Sequence, residues 1–342
     1  MTERPAAHSG PVVAEDIGWF AIDGETAVGA TRRAAMALGR SLGFSEERVA
    51  EVGIAVTEAA TNHLKHARSG VIGLRRLRYE GDGGVEFVAA DAGPGMRQVA
   101  ESTVDGRSTT GTLGIGLGAI RRLATRSDIH SLPGRGTVVV ATFWDGPAPD
   151  DPGDFAGLTR PMTGEDVCGD AYAGRRDGDT TVLLLVDGLG HGPLAAGAAH
   201  EAVALFGTLD DTDPATVIQR LHAGISHTRG VAAAVATIER SAGRLRYAGV
   251  GNISGTLVHP ESRHGLISHP GIVGHQTRTV REVALPLPVG SLVVMHSDGV
   301  TDRWNLADYP GLSHHDPLVV GATLLRDAAI RRDDASVLVA RR

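Results

Sequence analysis

The sequence contains one cysteine, Cys168, in 342 residues, so no disulfide can form within the chain, and a reducing compartment is expected. Lysine is scarce, no block of basic residues stands out, and the formal net charge is −7. A nucleic-acid binder normally carries a basic stripe, so that class is set aside. No apolar run approaches the length that spans a bilayer, and the opening MTERPAAHSG lacks a charged-then-apolar leader pattern. The expectation is a cytoplasmic protein with no nucleic-acid or membrane partner. Internal repeats and long low-complexity segments are also missing. What is present is a hydrophobic content of 42%, enough for two buried cores, on a chain comfortable for two domains.

The break between them lies in Asp145-Gly-Pro-Ala-Pro-Asp-Asp-Pro-Gly-Asp154, whose prolines can continue neither a helix nor a central strand. The expected division is a flexible terminus over 1–16, a first domain over 17–144, a linker over 145–158 and a second domain over 159–342. In the first domain a helix is expected from about Glu25 to Leu42, closed by Gly43, and a second from Ser45 to about Ala67. Strands over Val71–Tyr79 and Val85–Ala90 follow, then a Gly-rich loop, a helix over Ile115–Thr125, and a hairpin pairing Asp128–Leu132 with Thr137–Trp144. The second domain is richer in strands, with Thr181–Val186, Val231–Glu239, Arg244–Ala248, Ser291–His296 and Ser336–Ala340 as aliphatic runs. Helices are expected near Pro193–Phe206, Pro214–His227 and Pro317–Ala329. The fold class is α+β in two domains.

Three segments of the first domain carry chemistry. Glu58 and Asn62 stand four residues apart on the second helix and share a face; a carboxylate and an amide so placed suit a proton acceptor beside a magnesium ligand, but the pair taken alone reads first as a polar helix edge. Asp91-Ala-Gly-Pro-Gly95 ends an apolar strand, and its glycines let a flat heterocycle approach the backbone, or simply make a tight turn. Gly111-Thr-Leu-Gly-Ile-Gly-Leu-Gly118 runs into a helix, where backbone N–H groups form an anion cradle. It is not a P-loop, since no Gly-Lys-Ser/Thr follows, and it does not sit in the βαβ context of a dinucleotide site.

In this order the three segments resemble the GHKL ATPases, and within them the small anti-sigma-factor serine kinases of the RsbT and RsbW group. The resemblance implies a Bergerat-type α/β sandwich binding ATP and Mg²⁺. Asn62 would ligate Mg²⁺, Asp91 would accept from the adenine amino group, and Gly93, Gly95, Gly114, Gly116 and Gly118 would line the nucleotide. Glu58 would take the proton of a protein serine as catalytic base. Without a phospho-accepting histidine box, a two-component histidine kinase is not expected.

In the second domain acidic clusters stand at strand ends: Gly169-Asp170, Val186-Asp187-Gly188-Leu-Gly-His-Gly192, His296-Ser-Asp298-Gly299 and Arg332-Asp333-Asp334. Carboxylates without companion His or Cys ligands suit Mg²⁺ or Mn²⁺ and not zinc. Converging acids repel unless cations neutralise them. The set resembles the metal-dependent PPM (protein phosphatase 2C) family, in its short bacterial branch with SpoIIE, RsbU and RsbX, and implies an αββα sandwich. By that resemblance Asp187 would bridge two ions, Mn²⁺ or Mg²⁺, and act in catalysis. Asp170 and the Gly188 carbonyl would complete one site, Asp298 and Asp333 would bind the other ion, and Asp334 would orient the ligands from behind. The larger eukaryotic members place a proposed acid where this chain has Leu189; His191 lies two residues further on, with acid and helix-start roles both open.

The combined resemblance implies a bifunctional regulator of partner switching, phosphorylating and dephosphorylating a STAS-domain anti-anti-sigma or stressosome protein on Ser or Thr. Two alternatives stand beside it. In one, the first domain only binds ATP and a partner; in the other, the phosphatase is the sole enzyme and ATP its allosteric ligand.

Overall fold

The expected helix breaks stand where cap chemistry puts them. In the computed structural model, which describes residues 12–67, 69–97, 116–149, 153–277, 280–330 and 332–342, helix α1 spans Glu25–Ser41, and Gly43 just beyond it takes φ +81°, the left-handed conformation that ends helices. Helix α2 spans Glu46–His66, with the Ser45 hydroxyl accepting from Arg48 N–H at 3.3 Å. Strands β1 (Val13–Ile22), β2 (Gly70–Tyr79), β3 (Asp82–Asp91), β4 (Arg126–Leu132) and β5 (Gly136–Trp144) form one antiparallel sheet in the order β1-β2-β3-β5-β4. Period-two alternation gives the sheet two faces. Val85, Phe87, Ala89, Val139, Ala141 and Phe143 pack against α1, α2 and the short helix α3 (Gly116–Leu123). Val88, Ala90, Val138 and Val140 point the other way and are buried too.

The second domain contains β6 (Phe155–Arg160), β7 (Asp170–Asp177), β8 (Thr180–Gly188), helices α4 (Pro193–Phe206) and α5 (Pro214–Gly224), β9 (Val231–Glu239), β10 (Arg244–Val250), β11 (Ser254–His259), β12 (Ser262–Leu266), β13 (Val283–Pro286), β14 (Leu292–His296), helix α6 (Pro317–Ala328) and β15 (Ala335–Arg341). Two antiparallel sheets, β13-β10-β9-β8-β7 and β12-β11-β14-β15-β6, pack face to face through Leu183, Leu185, Val293, Met295 and Leu338. Helices α4 and α5 cover the outer face of the first, and α6 covers the outer face of the second through Val294, Val337 and Val339.

Helix α6 belongs to both domains. Nine consecutive residues, Pro317 to Leu325, are buried. A helix apolar all round needs partners on every side, and α6 finds the second on the sheet of the first domain, in one core with Val88, Ala90, Val138 and Val140. The layers therefore run helices, sheet, α6, sheet, sheet, helices.

Polar groups lock the same contact. The Arg75 guanidinium, 2% exposed, donates to Asp16 Oδ1 at 2.8 Å, to Glu86, and through Nη2 to the Gly157 carbonyl and the Tyr172 hydroxyl, both at 2.7 Å. Asp16 Oδ2 accepts from Thr159 N–H at 2.8 Å, and Trp19 Nε1 donates to the Thr159 carbonyl at 2.7 Å. Asp128 accepts from His315 Nδ1 and Asp316 N–H, each at 2.8 Å.

Two expected boundaries move. Residues 13–16, assigned to a flexible terminus, are part of β1, because Asp16, polar in the sequence, has its charge answered by Arg75 in the fold. Residues 155–158, assigned to the linker, start β6, which pairs with β15 from Phe155↔Ala340 to Arg160↔Ala335. No helix among the described residues is long and apolar enough to cross a membrane.

Candidate nucleotide and metal sites

The last turns of α2 gather the candidate nucleotide residues. Gly116, the first residue of α3, faces Glu58 and Asn62 so closely that a β-carbon there would lie 3.2 Å from Glu58 Oε2 and from Asn62 Nδ2. An acid and an amide thus meet a helix N-terminus, where free N–H groups favour an anion. Asp91 closes β3, and its Oδ1 accepts from Gly93 N–H at 2.6 Å. A β-carbon on Gly93 would stand 2.8 Å from the His66 carbonyl oxygen of α2; one on Gly95, at φ +65°, would stand 1.9 Å from the Leu132 carbonyl oxygen. Both glycines are required by close backbone approach. Gly118 is buried in α3. Gly114, with 111–115 of the Gly-rich loop, lies outside the described residues.

One neighbour escaped the sequence reading. His63, next to Asn62, is 5% exposed, with Nε2 at 3.9 Å from Asp91 Oδ2 and a buried Nδ1 that has no partner. Burial lowers its pKa, although the Asp91 charge pulls the other way. Nothing in Asn62-His63 as a sequence distinguishes it from a core histidine.

The four metal candidates come from both sheets of the second domain. Asp170 opens β7 and pairs in register with Asp187 near the end of β8. Asp298 follows β14, and Asp333 with Asp334 precedes β15, the neighbour of β14. Glycines close the gaps. A β-carbon on Gly188 would meet the Ala195 carbonyl oxygen of α4 at 2.3 Å, and one on Gly299 the Asp334 carbonyl oxygen at 1.8 Å. Asp334 accepts from Met162 N–H at 2.7 Å and Gly169 N–H at 2.8 Å. It therefore ties down the segment that delivers Asp170.

The electrostatics are those of crowded acids. Asp187 is pushed up to about 8, by burial first and then by Asp170, Asp298 and Asp333. Asp170, 3% exposed, is pushed up to about 7, again by burial, with the Ser297 and Ser336 hydroxyls offsetting part of the rise. Neither Asp170 oxygen accepts a hydrogen bond of good geometry. Burial, followed by Asp298, also raises Asp333.

As they stand, no three His, Cys, Asp or Glu side chains among the described residues close around one ion. Asp187 and Asp298 instead share the Asn252 amide, whose Nδ2 lies 2.5 Å from Asp298 Oδ2 and 3.4 Å from Asp187 Oδ2. The donor set nonetheless fits hard divalent cations: all oxygen, mutually repelling, with buried carboxylate atoms lacking any donor. Asn252 is the residue here that the sequence reading missed; its one signal is Gly-Asn directly after a strand, the same placement as the Asp-Gly pairs. His191 Nδ1, largely exposed, lies 2.9 Å from Glu165 Oε1.

Two family models match separate parts of the chain. A family model described as histidine kinase-like ATPase domain matches residues 23–143, and one described as stage II sporulation protein E (SpoIIE) matches residues 177–342. Serine/threonine-protein kinase RsbT of Bacillus subtilis (strain 168) is 33% identical over 115 residues, which cover 34% of this chain and 86% of that protein. Phosphoserine phosphatase RsbX of the same organism is 24% identical over 139 residues, covering 40% of this chain and 69% of that one. A solved structure from work on the bacterial stressosome as a modular system adapted to control secondary messenger signalling is 30% identical, with a TM-score of 0.52, over 55% of this chain and 98% of that chain.

Proposed function

The chain belongs to the histidine kinase-like ATPase family, with RsbT, through its first domain and to the SpoIIE-type phosphatases through its second, and on that premise we propose a bifunctional regulator of partner switching. Its second domain is a protein-serine/threonine phosphatase and its first an ATP-dependent serine kinase, both acting on a STAS-domain anti-anti-sigma or stressosome protein. The observation that carries this reading is the junction of two sheets at which Asp170, Asp187, Asp298 and Asp333 gather, with Asp187 and Asp170 held above their ordinary pKa.

Asp170, Asp187 and the Gly188 carbonyl would hold one Mn²⁺ or Mg²⁺ ion, and Asp187, Asp298 and Asp333 the other. Bound there, such a pair supplies a hydroxide nucleophile and neutralises phosphoryl charge. The chain's own work is positional: Asp334 fixes the segment before Asp170, Gly188 lets α4 close on the end of β8, and Gly299 lets the loops bearing Asp298 and Asp333 meet. In the first domain Asn62 would hold Mg²⁺, Asp91 would bind the adenine amino group, and Glu58, beside the N-terminus of α3, would accept the serine proton. The shared α6 supports a second reading, in which the first domain regulates the phosphatase without transferring phosphate itself.

The test supplies the intact chain with radiolabelled ATP and candidate STAS proteins, then with the phosphorylated product and Mn²⁺. Label should enter the STAS protein on serine or threonine and leave it again. Asp187→Ala and Asp298→Ala should reduce release to background; full turnover by Asp187→Ala at ordinary Mn²⁺ rules out the metal assignment. Release without prior incorporation supports the regulatory reading.

A further inference from the structure

We propose that Asn252 is a positioning residue of the phosphatase site, a neutral clamp that sets the separation of Asp187 and Asp298 across the two sheets. The proposal rests on the phosphatase reading above. A side-chain amide has two N–H groups on one nitrogen, and Asn252 Nδ2 lies within reach of one carboxylate from each sheet, at 2.5 and 3.4 Å. Its backbone is held from both sides. Gly251, at φ +98°, lies so close to β9 that a β-carbon there would stand 2.4 Å from the Ala232 side chain, and its N–H donates to the His269 carbonyl at 2.8 Å. On the other side Ile253, 2% exposed, is anchored in the core between the sheets. The choice of amide follows from charge. A lysine would neutralise the acids and compete with a cation, and an aspartate would add one more acid to a crowded set. Asparagine holds two carboxylates in place and leaves their charge for the ion.

The experiment uses the full chain and Mn²⁺ alone as the probe. Asn252→Ala should weaken Mn²⁺ binding, measured by calorimetry, by about 10- to 100-fold, as loss of a ligand-orienting hydrogen bond does. Its metal-free melting temperature should stay close to that of the parent, and phosphatase kcat should return at high Mn²⁺. Asn252→Asp should lower the metal-free melting temperature by repulsion and gain more from added Mn²⁺ than the parent does. Mn²⁺ affinity within twofold of the parent for Asn252→Ala overturns the clamp, as does metal-free Asn252→Asp melting like the parent. A parent chain that binds no Mn²⁺ counts against the phosphatase reading instead, and the metal-free melting of Asn252→Asp still decides the clamp.

An independent observation concerns α6. Near its end Arg326, its side chain 8% exposed, donates from Nη1 to the carbonyl oxygen of Asp91 at 3.2 Å. Just beyond it the chain is bonded to the loop that bears Asp298: Thr301 N–H donates to the Ala328 carbonyl at 3.0 Å and Ile330 N–H to the Gly299 carbonyl at 2.7 Å. We infer that Arg326, through residues 328–330 and their hydrogen bonds to Gly299 and Thr301, couples the nucleotide site to the loop bearing Asp298. A close-packed core does not absorb small shifts locally, and nucleotide pressing on Asp91 displaces the strand end that Arg326 grips.

The test measures Mn²⁺ affinity of the full chain at buffered free Mn²⁺, with and without a non-hydrolysable ATP analogue, for the parent and for Arg326→Met, which keeps the apolar stem. The parent should show a change of at least about fivefold, the lower range of measured couplings, and Arg326→Met a change near onefold with analogue affinity retained. Equal Mn²⁺ affinity with and without analogue in the parent, or coupling intact in Arg326→Met, overturns the inference. A parent that binds no analogue removes the ATP assignment and the coupling with it.

Discussion

A β-carbon on Gly299 would stand 1.8 Å from the Asp334 carbonyl oxygen and 2.8 Å from its carbon, so the loops bearing Asp298 and Asp333 touch only because that side chain is missing. Gly299→Ala must push them apart. It should cut Mn²⁺-dependent phosphatase activity at least tenfold while the cores on either side stay folded, checked by turnover of a phosphoserine protein alongside circular dichroism. In the first domain the division of labour between Glu58 and Asn62 is separable. Glu58→Ala should leave ATP binding nearly intact and abolish transfer to protein, whereas Asn62→Ala should weaken Mg²⁺-ATP binding itself. Calorimetry with nucleotide beside a transfer assay distinguishes them, and equal loss of binding in both variants would refute the assignment of a base and a metal ligand.

The elements that join the domains carry titratable groups. His130, on β4, lies 3.4 Å through Nε2 from the Pro310 carbonyl and edge-on to His315 at 5.1 Å. Burial lowers its pKa below 6.5; the Pro310 carbonyl and Asp128 oppose this, and the charges of His315 and Arg326 reinforce it. The unfolded chain therefore binds a proton near pH 6.5 that the folded chain refuses, so stability is full above that value and falls as pH drops through it. Asp128 is held below its ordinary pKa despite burial, chiefly by His315 and by Asp316 N–H. Its contribution persists above about pH 4 and is lost only as pH falls further. Between pH 7 and 5 the one proton on His130 should take away up to about 1.4 kcal/mol of stability per pH unit, against the opposite contribution of Asp170 and Asp187, which bind protons in the folded chain over the same range. The His130 share is read as the difference between parent and His130→Gln in urea titrations at several pH values. An unchanged slope would place the titrating group elsewhere.

For the whole molecule, a chain cut at residue 155 should not behave as a free phosphatase domain. Removing the first domain exposes the face of α6 that packs on Val88, Ala90, Val138 and Val140, at a cost of about 1.5–3 kcal/mol for each large aliphatic side chain fully returned to water. Residues 155–342 alone should unfold at lower urea than the intact chain, bind an apolar dye and self-associate on size exclusion. A monodisperse fragment as stable as its counterpart in the full chain would mean that the two cores are independent. Wild-type and fragment turnover then report on different molecules, so any regulation by nucleotide has to be measured on the intact chain.

Local chemistry made much of this protein legible from its sequence. Caps such as Ser45 and Gly43, the aliphatic runs of β8, β9 and β15, and the Asp-Gly pairs at strand ends all act through neighbours a few residues away. The candidate acids and the Glu58–Asn62 pair could be named for that reason. Partners far apart in the chain decided the rest. Asp16 looked like part of a polar tail until Arg75, 59 residues on, paired with it, and Phe155 read as linker until β15 came alongside. Asn252 gains its meaning from carboxylates 65 residues before it and 46 after it. Helix α6 showed in the sequence as a helix near Pro317–Ala329. That it closes two cores at once depends on which surface lies against its far side, and side-chain periodicity along one segment holds no information about that surface.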